Sequence, residues 1–182
     1  MGEILDSGNR TEFDTGAVRD MQDDKGRCDL LPLDVVAEAY SVPNRIGRSC
    51  LVYLEDFKTT KNDLYLAYAI DAYIGEAYSH DKTEAYLDVS IHYRDGALKY
   101  GENNWQKGLP GWSYISSAVR HYLKFRRGDD DENHRRAVLW NLLCLSWTVK
   151  HCKEYGGFLE VKAEHLHPVE LGRYDEDWSE GK

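Results

Sequence analysis

The 182-residue sequence predicts an all-α fold: a single compact helical domain of about five to seven helices, preceded by an irregular N-terminal arm. Three observations carry this. Apolar residues recur at i, i+3 and i+4 through successive stretches. Those stretches are punctuated by Asp, Ser and Gly where helices start and stop. The β-branched residues are scattered, and no run alternates cleanly enough for a strand.

Residues 1–30 hold Gly and Asp at short intervals without a helical period, which predicts the arm. Past Pro32, "LDVVAEAY" predicts a short helix that stops before Pro43, and "SCLVYLEDF" predicts another. The run "DLYLAYAIDAYIGEAY", residues 63–78, is apolar around much of its circumference and so predicts a buried helix. "SHDKTE" breaks it, with Ser79 or Asp81 as the next N-cap and Glu84 placed for a capping box. The following helix, about 82–100, presents Ala85, Tyr86, Val89, Tyr93 and Ala97 on one side. After a loop, "SYISSAVRHYLKFRRG" predicts a helix capped by Ser113 and ended by Gly128. "DDDENHRRAVLWNLLCLSWTVKHCKEYGG" opens with acids and closes with bases, as a helix dipole favours. The domain is expected over 31–155, with 156–182 as a peripheral acidic tail.

A net charge of −9 disfavours wrapping an extended nucleic acid, which needs a broad basic surface. The cations are nonetheless concentrated between Arg120 and Arg136, where a small, highly charged anion can bind. No apolar run is long enough to span a membrane, and the first residues lack a secretory pattern, so the cytoplasm is the expected compartment. The four cysteines are widely spaced, without a CxxC pair, and read as reduced thiols with Cys144 in the core. Broad apolar helix surfaces predict a homo-oligomer.

Residues that carry chemistry gather in three places. His92 and Asp95 lie one turn apart, and His121 and His134 stand on the two following helices. With an acid from Asp129 to Glu132, Asp131 among them, these can hold a divalent ion or move a proton; equally, the histidines can be half-buried residues bonded to carbonyls. The metal ligands expected are Asp95, His121, Asp131 and His134, with His121 and His134 also expected in catalysis. "GDDDEN" itself reads either as a helix cap or as a ligand run, and the His80–Asp81 pair sits at a helix break. In the arm, Lys25 and Arg27 flank Gly26, where backbone amides and charge can meet phosphate, although the P-loop spacing is absent. In the loop "KYGENNWQKG", Tyr100 or Trp105 can stack on a base, Asn103 or Asn104 can read its edge, and Lys99 and Lys107 can meet phosphates. The alternative is that the aromatics anchor the connection to the core.

Three blocks, "FDTGAVRD…KGRCDLLP", "GALKYGENNWQKG" and "SAVRHYLKFRRGDDDENHRRAVLWNLLCLSWT", resemble the family named for the N-terminal domain of dATP/dGTP diphosphohydrolase, common in bacteriophages and prophages. The resemblance spans about residues 13–149, with 41–85 as a helical insertion found in part of the family. It implies hydrolysis of a purine (deoxy)nucleoside triphosphate to monophosphate and pyrophosphate with Mg2+ or Mn2+, in the host cytoplasm if the chain is phage-encoded. The paired ExxE and ExxD motifs of all-α pyrophosphohydrolases are absent from the helices. A nucleotide-binding or sequestering module without turnover, or an accessory oligomeric protein, therefore stands beside the enzyme reading.

Overall fold

The computed structural model of the chain describes residues 10–12, 18–20, 27–33, 35, 36, 39, 48–107 and 109–152. Among the described residues five complete α-helices carry the fold, so the all-α class holds: α1 (Cys50–Thr60), α2 (Leu64–Tyr78), α3 (Lys82–Tyr100), α4 (Gly111–Arg127) and α5 (His134–His151). A 3-10 turn, Asn104–Lys107, interrupts the loop between α3 and α4, and another, Cys28–Leu30, precedes the helices. Within the expected irregular arm, β1 (Arg10–Glu12) and β2 (Val18–Asp20) form a short antiparallel ladder with Thr11 opposite Arg19. Three residues per strand are too few for an alternation to register in the sequence.

Caps explain most boundaries. Ser49 accepts a hydrogen bond from the Leu51 amide at the start of α1, and Asp81 accepts one from the Glu84 amide (2.9 Å) at the start of α3. Gly128 ends α4 in the left-handed region (φ +86°) that its missing Cβ permits. Two expected starts move. The fourth helix begins at Gly111 behind Pro110, whose fixed φ suits the entry, and Ser113 already lies inside its first turn. The fifth begins at His134, with Asn133 accepting the Arg136 amide (2.9 Å), so Asp129–Glu132 form a connector before the helix. Its last described residues are His151 and Cys152, and Gly156 lies outside the described part.

Helix α5 is the axle of the molecule. Ala137–Leu139 and Asn141–Ser146 are all buried, which covers every face of the helix. It packs on α2, α3 and α4, while α1 packs on α2. Cys144 is fully buried in this core beside Tyr93. Burying each Leu or Ile of such a core contributes about 1.5–3 kcal/mol. The Arg27 amide bonds the Ser90 carbonyl (3.0 Å), which ties the chain before the first 3-10 turn to α3. Among the described residues no helix is long and apolar enough to cross a membrane.

Candidate functional site

Two features are built on α3, α4 and α5. The first is a side-chain cluster at the junction of α4 and α5. His121 stands on the third turn of α4 and His134 opens α5, and the antiparallel return of the chain through Asp129–Asn133 brings their rings together. Their Nδ1 atoms are 3.0 Å apart. The Glu132 carboxylate lies 3.2 Å from His121 Nδ1 and 3.5 Å from His134 Nδ1. On its other edge, His134 Nε2 meets Asp131 Oδ1 at 2.7 Å, and Lys124 Nζ donates to the same carboxylate at 2.6 Å.

Burial separates these groups by role. His134 is 2% exposed and His121 is 9% exposed, whereas the Glu132 side chain is 50% exposed. Desolvation lowers the pKa of His121, with Arg120 and Lys124 adding to the shift and Glu132 opposing it. Hydrogen bonds from Lys124 and then His134 bring the Asp131 carboxyl down to about 2, so it is ionised at neutral pH. His121, Glu132 and His134 are placed to share an ion, and so are Asp129, Asp131 and His134 through its other nitrogen.

The second feature is a cavity of about 350 Å³ between α3, the loop after it and α5. That volume falls in the range of small-molecule sites, about 300–1,000 Å³. Tyr93, Tyr100, Trp105 and Trp140 supply aromatic walls, Asn103 and Asn104 supply amides, and His92 stands on the wall with its ring 5.3 Å from that of Trp140. Burial is the largest cause of a lowered pKa at His92, which leaves its imidazole neutral at pH 7. The charges of Arg136, Asp95, His121 and Glu132 also act on that imidazole, so this cavity residue is within electrostatic reach of the cluster.

The residues singled out from sequence divide accordingly. His121, Asp131 and His134 come together, while Asp95 does not join them; it faces solvent and takes the guanidinium of Arg94 at 2.7 Å. Tyr100, Asn104 and Trp105 line the cavity. Lys107 is exposed in the 3-10 turn, and Lys99 lies over the Tyr100 ring, 4.9 Å from its centroid. Arg27 is bound by Asp29 and by Glu102 (2.8 Å), which fastens the N-terminal segment to the loop. Lys25 lies outside the described residues. Of the His80–Asp81 pair, Asp81 is the cap of α3, and His80, at φ +68°, packs its ring against Gly75.

Most cations of the Arg120–Arg136 stretch are already matched. Arg127 holds Asp129, Arg136 holds Asp88 (2.6 Å), Arg135 reaches Glu84 (3.2 Å), and Arg120 bonds the Ser117 hydroxyl (3.2 Å). Two wall residues, Trp140 and Leu109, gave no sign in the sequence beyond hydrophobicity, because helical spacing assigns Trp140 to the core as readily as to a cavity.

Residues 77–156 match the family described as dATP/dGTP diphosphohydrolase, N-terminal, which supports the resemblance carried by the second and third sequence blocks. No curated protein and no solved structure matches the chain.

Proposed function

We propose that the chain hydrolyses a purine deoxynucleoside triphosphate to the monophosphate and pyrophosphate, with the base in the aromatic cavity and the phosphates towards His121, Glu132 and His134. One observation carries this reading. Apart from Leu30, the cavity and the cluster both fall within the matched residues 77–156, and His92 on the cavity wall feels the charges of His121 and Glu132. The α-phosphate of a nucleotide lies between its base and its outer phosphates, the place this reading gives to His92.

Each group then has a role its surroundings suit. Tyr100, 60% exposed, offers a ring face to a base, and Asn104 offers a donor and an acceptor to its edge. Trp105 and Trp140 close the floor and exclude water. Arg120, beside His121 on α4, meets phosphate oxygens. Two imidazole nitrogens and a carboxylate within one small triangle are a donor set that fits a divalent ion. Such an ion would neutralise phosphate charge and make water more acidic. Water attacks the α-phosphorus, the bond to the bridging oxygen breaks, and pyrophosphate leaves with its electron pair. The neutral imidazole of His92 accepts the proton of the attacking water.

The test is pyrophosphate release from each dNTP with Mn2+ or Mg2+. The purine substrates are expected to turn over, and His92→Gln is expected to lower kcat by about 10²–10⁴-fold with KM little changed. Nucleotide binding without any pyrophosphate would sink the hydrolysis. That outcome would leave the second reading, a binding module without turnover. It is favoured by the pairing of Asp129 and Asp131 with cations of their own, Arg127 and Lys124. Glu132 is then the carboxylate, among the described residues, that reaches both histidines.

A further inference from the structure

We infer that His121, His134 and Glu132 form a three-donor face for a divalent transition ion in preference to magnesium, with Asp131 as a positioning residue outside it. The inference deepens the proposed function and rests on it only in calling for a divalent ion.

The triangle has the right size. Donors about 2.0–2.1 Å from a common centre, at tetrahedral or octahedral angles, stand about 2.8–3.4 Å apart. The observed edges are 3.0, 3.2 and 3.5 Å. The orientation of the ring is right as well. His134 Nε2 lies 2.7 Å from Asp131 Oδ1, so the opposite ring nitrogen, Nδ1, is the one turned towards His121 and Glu132. This is the carboxylate–histidine pairing that orients imidazole ligands around a metal. Lys124 in turn fixes Asp131 from the opposite side.

The donor types decide the ion class. Magnesium takes oxygen ligands in a near-ideal octahedron and keeps much of its water, whereas imidazole nitrogens favour manganese, cobalt or zinc. Two of the three donors here are nitrogen. The competing grouping of Asp129, Asp131 and His134 is weaker because both acids already neutralise a cation, Arg127 and Lys124. The half-exposed Glu132 leaves the face open to solvent, through which a ligand and its phosphates can arrive.

The experiment uses the full chain, stripped with chelator and titrated without nucleotide by Co2+ and by Mg2+. The readouts are calorimetry and, for Co2+, the visible ligand-field spectrum. One Co2+ per chain is expected to bind at least on the order of 100-fold more tightly than Mg2+. Glu132→Gln should weaken Co2+ and shift its spectrum, Asp131→Asn should weaken it by about 10–100-fold, and Asp129→Asn should leave it nearly unchanged. His121→Ala should abolish the tight site, and circular dichroism tells loss of ligand from loss of fold. If His121→Ala unfolds, Glu132→Gln at its half-exposed position still decides. Mg2+ binding as tightly as Co2+, or Co2+ binding unaltered in Glu132→Gln, overturns the inference. Tight Co2+ binding in a protein that releases no pyrophosphate would instead remove the proposed hydrolysis and leave the ion site standing.

Discussion

Trp105 is the residue at which two demands meet. It is 7% exposed, edge-on to Tyr93 (5.6 Å) and Trp147 (5.0 Å), and its carbonyl accepts the Tyr114 hydroxyl (3.3 Å). It is an anchor of the loop as well as a cavity wall. Trp105→Ala is therefore expected to cost about 3–5 kcal/mol of stability, measured by chemical denaturation. Tyr100→Ala should leave stability within about 0.5 kcal/mol but lower nucleotide affinity by about 1–3 kcal/mol, measured by titration. Equal destabilisation by both would remove Tyr100 from the site. Both neighbouring asparagines line the cavity, and Asn103 in addition adopts φ +55°, a conformation asparagine tolerates. An aromatic, amide-rich loop was legible from its residue types. Which aromatic is wall and which is anchor depends on burial, to which helices distant in sequence contribute.

At the scale of the element, caps were legible where a single strong candidate preceded an apolar run. Asp81 is the clearest case. Its carboxylate takes the Glu84 amide, and Asp81→Ala is expected to lower stability by about 0.5–2 kcal/mol in thermal melts, with Asp81→Ser recovering most of the loss. No recovery by serine would mean that the carboxylate acts through its charge. The connector before α5 was less legible, because Asp129, Asp130, Asp131 and Asn133 are all competent caps in series. The choice of Asn133 releases the acids before it from the helix and lets Asp131 and Glu132 turn back on the histidines. That choice is made by the packing of α4 on α5, which no local window contains. The pairing of His121 with His134 was likewise a convergence to be tested rather than read.

Across the whole molecule, two acids of α2 fasten it to the helices around it. Glu76 on α2 accepts the Cys50 amide (2.8 Å), capping α1, and the Tyr122 hydroxyl (2.6 Å) of α4. Asp71, also on α2, pairs with Lys82 of α3 (2.9 Å), whose ammonium donates to the Ala39 carbonyl (2.8 Å) as well. Glu76→Ala strands one amide and one phenol, and about 1.5–3 kcal/mol of stability is expected to be lost, read as a lowered denaturation midpoint with an unchanged m-value. An unchanged midpoint would show that water replaces the carboxylate. The helical class was legible because its periodicity is local; these cross-links were not, because each joins residues 11–46 positions apart, at angles only the finished packing sets. One further consequence lies in the hairpin of α4 and α5. The two imidazoles that meet are separated by 13 positions, so bringing them together closes a short loop and surrenders little chain entropy. Assembly of the donor triangle is thus a local event in folding, one that needs the hairpin to form but not the arrival of α1 or α2.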